Sequence, residues 1–231
     1  EWTSMKQQLS SYFSKEGIRY NIREHGIPME WKNIEAKLHL HGKPIEITIK
    51  PTISNYLRVQ DIMVLEILDD IEDGRPVYFA VTVSPSNRMG LDKYLEMEGL
   101  VYRVTTTATS DEKMSPRLNY EKMKVNITET NNSDFIIHTV ADYEKHFSEN
   151  QGLYRYTNLD NDDVYFSSNI QRLIQNYRSG FLQLALEDLY SPDKDGKARS
   201  LTLLHNMDAY FPPDIIPVSE PELDIQIGRI Y

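Results

Sequence analysis

Gly74-Arg75-Pro76-Val77-Tyr78-Phe79-Ala80-Val81-Thr82-Val83, with Leu91-Asp92-Lys93-Tyr94-Leu95-Glu96-Met97 after Gly90 and Leu100-Val101-Tyr102-Arg103-Val104-Thr105 after Gly99, is the stretch on which the fold turns. Residues 75–83 are rich in β-branched and aromatic side chains and run into Ser84-Pro85-Ser86-Asn87, the pattern of a strand closed by a turn. Leu91–Met97 reads as a helix entered near Gly90, and residues 100–105 read as a second strand. With a helix expected just upstream, the order is helix, strand, helix, strand. That order predicts an α/β unit whose two strands run parallel if they pair, with residues 75–83 as the central strand.

Working outward, residues 56–71 carry Leu57, Val59, Ile62, Met63, Val64, Leu65, Ile67, Leu68 and Ile71. These are too many for one stripe, which predicts a helix covered on more than one side and ended by Gly74. Earlier still, Lys37-Leu38-His39-Leu40 and Ile45-Glu46-Ile47-Thr48-Ile49 alternate with period two around His41-Gly42-Lys43-Pro44, the signature of a hairpin. At the start, Trp2, Met5, Leu9, Tyr12 and Phe13 fall at helical spacing before Gly17 and predict a short amphipathic helix.

Downstream, residues 106–118 read as a surface loop, and residues 119–163 as mixed, with a strand at Phe135–Thr139 and a helical turn at Ala141–Phe147. The last third changes character. Phe166, Ile170, Leu173, Ile174, Tyr177, Phe181, Leu184 and Ala185 form a sustained helical stripe that breaks at Ser191-Pro192-Asp193. A second helix is expected from about Lys197 to Tyr210, before Pro212-Pro213. A third is expected from Ser219, where Ser219 and Glu222 have capping-box spacing and Leu223, Ile227 and Ile230 supply an apolar face. Such helices cannot bury their faces alone, and an array of helical hairpins is their natural setting. The fold expected is α+β or α/β: a mixed-sheet domain over residues 1–155 with flanking helices, then a helical-hairpin segment over residues 156–231. The array is expected to continue past Tyr231, so that the last stripe frays or self-associates weakly.

Composition bounds the function. The 231 residues contain 25 basic and 35 acidic side chains, a net charge of −10 that repels phosphate backbones and anionic lipid heads, so nucleic acid is not an expected partner. Cysteine is absent, which excludes disulfides, thiol nucleophiles and thiolate metal sites. No apolar run approaches the roughly 18 to 20 residues of a membrane span. The chain opens at Glu1 without an initiator methionine or a leader, so it is expected to have been cut from a longer one.

Chemistry is sparse. His39 and His41 alternate in an expected strand and would share a face, but two imidazoles without a third ligand are not a metal site. Asn158, Asp160 and Asp162 copy the start of a calcium loop that then fails at Asp163 and Asn169; Ser191, Asp193, Asp195 and Gly196 fail at Thr202 and read as a turn between helices. Glu66, Asp69, Asp70, Glu72 and Asp73 crowd the end of a helix, either as a charged rim or as an acidic wall facing a ligand or Arg75. Asn126-Ile127-Thr128 and Asn131-Asn132-Ser133 fit the glycosylation pattern, which recurs by chance. No nucleophile elbow, phosphate-binding loop or dinucleotide fingerprint occurs, so no catalytic residue, cofactor or metal is assigned. The fifteen tyrosines either line a sugar-binding surface or, for most of them, serve as core or boundary residues, and the second reading is preferred. A ligand, if any, is expected near the carboxyl end of the 77–83 strand, where open α/β sheets bind, with Asn87, Arg88, Asp92 and Tyr94 as the candidate residues.

A resemblance extends this reading. Asp61-Ile62-Met63-Val64-Leu65, Arg75-Pro76-Val77-Tyr78-Phe79-Ala80 and the Gly90–Val104 segment, with Asn169-Ile170-Gln171-Arg172-Leu173 and Asn206-Met207-Asp208-Ala209-Tyr210-Phe211-Pro212-Pro213, resemble the extracytoplasmic region of bacterial multi-spanning membrane proteins similar to lipid-linked-sugar protein O-mannosyltransferases. In that family an R-P-(V/I)-Y-F-A strand precedes TPR-like helical pairs. The resemblance is close over residues 56–104 and 154–231, and departs at Asp73-Gly74, where family members often carry Trp before R-P. It implies a non-catalytic domain outside a bacterial membrane, on the periplasmic side, anchored by segments beyond this chain. The implied partners are the membrane-embedded half of the same protein, which would carry the catalytic acid, and an acceptor protein or glycan. A different reading is a free-standing helical-repeat scaffold with no enzymatic role.

Overall fold

The computed structural model describes residues 3–4, 27–28, 33–51, 56–71, 75–109, 116–128, 154–219 and 221–231. Helices and small sheets combine in an α+β architecture, and the chain forms two compact units: residues 1–96 with 101–117, and residues 97–100 with 118–231.

The first unit is built on a hairpin. Strands β1 (Thr3–Ser4), β2 (Ile27–Pro28), β3 (Ile34–Leu40), β4 (Lys43–Ile49) and β5 (Tyr56–Leu57) form two small sheets: β1-β3-β4, in which β1 is parallel to β3, and the antiparallel pair β2-β5. The period-two alternation places Ile34, Ala36, Leu38 and Leu40 opposite Ile49, Ile47, Ile45 and Lys43, so one face of the hairpin is almost wholly apolar and buried. His41 and Gly42 alone make the turn, at φ 50° and 69°, which matches a two-residue hairpin connection. Pro44 lies in the outermost strand opposite His39, a place that spares the missing N–H. His41 is therefore a turn residue rather than a strand neighbour of His39, because the alternation stops at Leu40.

Helix α1 (Val59–Asp69) covers the hairpin with Ile62, Leu65 and Leu68. The expectation of a helix covered on several sides is corrected: Met63 is 59% and Ile67 56% exposed, so this apolar-rich helix is buried along one stripe. Leu57 precedes it in β5, and the buried Asp61 fixes its start by accepting from the Arg58 amide at 3.1 Å and from the Arg58 guanidinium at 2.8 Å.

Strands β6 (Tyr78–Ala80), β7 (Leu95–Met97), β8 (Val101–Val104) and β9 (Arg117–Leu118) form a sheet in the order β6-β8-β7-β9. Three expectations fail here. The 75–83 strand is three residues long and lies at the sheet edge, because the Val83 amide turns back to the Ala80 carbonyl at 3.0 Å. Residues 91–97 are not a helix: Asp92–Tyr94 is a single 3₁₀ turn and Leu95–Met97 a strand with Leu95 and Met97 buried. With no crossover helix to carry the chain back, β6 and β8 pair antiparallel rather than parallel. Within the expected 106–118 loop, Arg117–Leu118 is a strand.

The second unit is helical. Helix α2 (Tyr120–Thr128) was not foreseen; α3 (Ser168–Leu189), α4 (Gly196–Tyr210) and α5 (Pro221–Ile230) follow the expected series. The Ser167 hydroxyl caps α3 by accepting from the Ile170 amide. Arg178 reaches Phe211 whereas Asp188 reaches Arg199, so α3 and α4 run antiparallel as a hairpin. Helix α5 follows the third helix expected, with its stripe of Leu223, Ile227 and Ile230 buried, and the junction with the expected Ser219 cap falls on residue 220, outside the described residues. The expected strand at 135–139, the turn at 141–147 and most of the 2–15 helix lie outside the described residues; Thr3–Ser4 from that span is strand.

Candidate functional site

The four residues singled out from the sequence lie on the segment between β6 and β7, and all are bonded within their own unit. Arg88 is 6% exposed; its Nε donates to the Val83 carbonyl at 3.0 Å, its Nη1 to Asp92 Oδ1 at 2.8 Å, and its guanidinium stacks 4.4 Å from the Tyr102 ring centroid. Asn87 Oδ1 accepts from Arg58 Nη2 at 2.7 Å, which ties it to the Arg58–Asp61 pair. The buried Tyr94 bonds instead to the backbone of Glu46. The structure thus joins Arg88 with Asp92 and gives Asn87 and Tyr94 separate partners.

The reason is the open edge of β4. Glu46 and Thr48 face non-hydrogen-bonded positions of the hairpin, so their amides and carbonyls point outward and need other partners. Tyr94 serves Glu46, and Gly90 comes so close to Thr48 that a Cβ there would stand 2.6 Å from its carbonyl oxygen. Elsewhere in this unit, His39 donates its backbone N–H to Asp69 Oδ1 at 2.7 Å and places Nδ1 3.6 Å from the same oxygen. Asp69, taken from the acidic run, thus accepts a backbone N–H within β3. Among the described residues no group of three or more His, Asp or Glu side chains could hold a metal ion.

A second arrangement lies wholly in the helical unit, in a cleft of about 420 Å³. Helix α2 supplies Tyr120 and Lys124, one turn apart on the same face; α3 supplies Glu187 and Asp188; the link to α4 supplies Tyr190, Ser191 and Pro192; α4 supplies Arg199. Asp188 is 3% exposed and sits in the last turn of α3, where the helix dipole disfavours an acid; Arg199 sits near the start of α4, where the dipole disfavours a base. Each offsets the other's placement. Arg199 Nε donates to Asp188 Oδ1 at 2.8 Å and Nη1 to Asp193 Oδ2 at 2.6 Å, while the Tyr120 hydroxyl lies 3.0 Å from both Asp188 oxygens. Burial, reinforced by Asp188, pushes the Tyr120 phenol up to about 12, so it is a hydrogen-bond donor at neutral pH. The hydrogen bond from Arg199 holds Asp193 below the usual carboxylate range. The two helices approach closely enough for Asp188 because Gly196 has no Cβ to strike its carbonyl oxygen.

The sequence reading missed this cleft. Its local signals were an acid closing one helix and a base opening the next, and Tyr120 and Lys124 at helical spacing in a stretch read as mixed. Asn126, in the same helix, is buried, and its Nδ2 donates to the Glu98 carbonyl at 3.0 Å, so the glycosylation pattern there falls on an inaccessible side chain.

The family model of TMEM260-associated domain 2 matches residues 4–128. The chain belongs to this family. The matched span holds the hairpin, α1, the sheet and α2, and so includes Tyr120 and Lys124, whereas Asp188, Tyr190 and Arg199 lie beyond it. Neither the curated proteins nor the solved structures give a match to the chain. Among the described residues, no helix is long and apolar enough to cross a membrane.

Proposed function

We propose that this chain is the extracytoplasmic, non-catalytic part of a membrane-bound protein O-mannosyltransferase, on the periplasmic side of a bacterial membrane, and that it positions acceptor protein for the membrane-embedded half. The observation that carries this reading is membership of the TMEM260-associated family over residues 4–128. The Pro85–Tyr94 segment is the part of the first unit that meets the acceptor, with the half-buried Asn87 and Asp92 at its surface and Arg88 and Tyr94 holding it in place. The helical hairpin of α3 and α4, with α5 against it, extends beyond the matched span and acts as a TPR-like interaction module.

The test is transfer from a lipid-phosphate mannose donor. The full-length protein in proteoliposomes should glycosylate a protein acceptor, deletion of residues 1–231 should lower that transfer at least tenfold, and the isolated 231-residue chain should turn over no donor. Turnover by the isolated chain overturns the non-catalytic assignment. Amide-shift mapping with acceptor peptides should move Asn87, Arg88, Asp92 and Tyr94, and unmoved signals at all four would remove that segment from the site. The scaffold alternative is favoured by the α3–α5 array lying outside the match; a full-length reading frame without apolar spans would select it.

A further inference from the structure

We propose that the cleft between α2, the end of α3 and the start of α4 binds a neutral carbohydrate. This goes beyond the acceptor-positioning role and does not depend on it, since the cleft lies in the helical unit and is built chiefly from residues outside the family match.

The size, at about 420 Å³, falls in the lower part of the range of roughly 300 to 1,000 Å³ typical of small-ligand clefts. The lining charges balance, Lys124 and Arg199 against Glu187 and Asp188, so a free anion meets two carboxylates and a free cation meets two bases. A ligand whose groups each donate and accept suits such a mixed lining, and sugar hydroxyls do both. Bonding capacity is open: Arg199 commits N–H groups to Asp188 and Asp193 and also lies within reach of the Tyr120 hydroxyl, which still leaves part of its five-donor fork for a ligand. The Glu187 carboxylate is unpaired among the described residues. Tyr190 is 80% exposed on the rim, presenting an aromatic face of the kind that packs against the C–H face of a pyranose ring. The polar groups are fixed before any ligand arrives, because Asp188 is held by Tyr120 and Arg199 together.

The experiment titrates the 231-residue chain with α-linked mannobiose and maltose, and in parallel with inorganic phosphate and a neutral tetrapeptide, following amide shifts. Sugar should shift residues 120–124 and 187–199 at lower concentration than phosphate or peptide. Tyr190→Ala should weaken sugar binding at least tenfold with an unchanged circular dichroism spectrum, since its ring is exposed, and Glu187→Gln should weaken it severalfold. The proposal is overturned if neither sugar shifts these residues, if Tyr190→Ala binds as the native chain does, or if phosphate or peptide binds there more tightly than either sugar. Loss of sugar binding would leave the transferase result untouched, so the two failures are distinguishable.

Discussion

The Tyr94 hydroxyl lies 3.0 Å from the Glu46 amide nitrogen and 3.1 Å from the Glu46 carbonyl oxygen, accepting from one and donating to the other at the open edge of the hairpin. One side chain thereby satisfies both outward backbone groups of a residue that, among the described residues, has no strand beyond it.

Tyr94→Phe keeps the buried ring and removes the hydroxyl, leaving both Glu46 groups short of a partner. The expected cost is about 1 to 3 kcal/mol in urea denaturation, with faster exchange of the Glu46 amide. A loss under about 0.5 kcal/mol with unchanged exchange would show that the edge is satisfied without Tyr94.

Arg178 is wholly buried on α3, and its guanidinium donates to the carbonyls of Phe211, Ile216 and Pro217, the segment between α4 and α5. Burial lowers its pKa, with the Asp208 carboxylate opposing that effect, and the three carbonyls it donates to make the guanidinium the structural tie of this segment. Arg178→Met fills much of the space and strands those carbonyls. It should destabilise the chain by roughly 3 kcal/mol or more, and Arg178→Lys should recover little because a single ammonium cannot span the fork. Native-like stability in Arg178→Met would mean that the carbonyls find other donors.

What was legible in the sequence follows physical range. The hairpin could be read because alternation from Ile34 to Ile49 is a local consequence of one buried face, and α3 to α5 because their stripes recur at helical spacing between Ser167, Pro192 and Pro213. Residues 91–97 misled because Leu91, Tyr94 and Leu95 have helical spacing and are all buried, although a 3₁₀ turn followed by a strand buries the same three. In α1, apolar content was mistaken for burial at Met63 and Ile67. The helical cleft was out of reach, since Tyr120 meets Asp188 across 68 residues and no local period encodes that meeting.

Gly42 and Gly90 separate two costs of adding a methyl group. Both have positive φ, at 69° and 72°, but a Cβ on Gly42 meets nothing within 4 Å, whereas one on Gly90 stands 2.6 Å from the Thr48 carbonyl oxygen. Gly42→Ala should cost about 1 kcal/mol, the conformational term alone. Gly90→Ala should cost at least about 1 to 2 kcal/mol more, because the loop must leave the β4 edge. Equal losses in chemical denaturation would show that the loop moves away freely.

The last prediction concerns alkaline pH. Burial pushes Tyr154, Tyr120 and Tyr231 up to about 12 from an ordinary 10.0, with Asp188 adding to the effect at Tyr120 and Asp208 at Tyr231, and burial raises Tyr156 further. The folded chain therefore holds these phenolic protons more tightly than the unfolded chain does. Their stabilising contribution is complete below about pH 10 and is lost as pH rises from 10 towards 12. The urea midpoint should fall steeply over that interval, and tyrosinate absorbance should show one group of phenols ionising near pH 10 and another only with unfolding. Tyr154→Phe should flatten the fall, because one of the late phenols is gone, while an exposed control, Tyr165→Phe at a residue 89% accessible, should leave the slope unchanged. A single absorbance step near pH 10 in the folded chain would show that Tyr120, Tyr154 and Tyr231 ionise freely in the native state, and equal slopes in the two variants would show the same of Tyr154 alone.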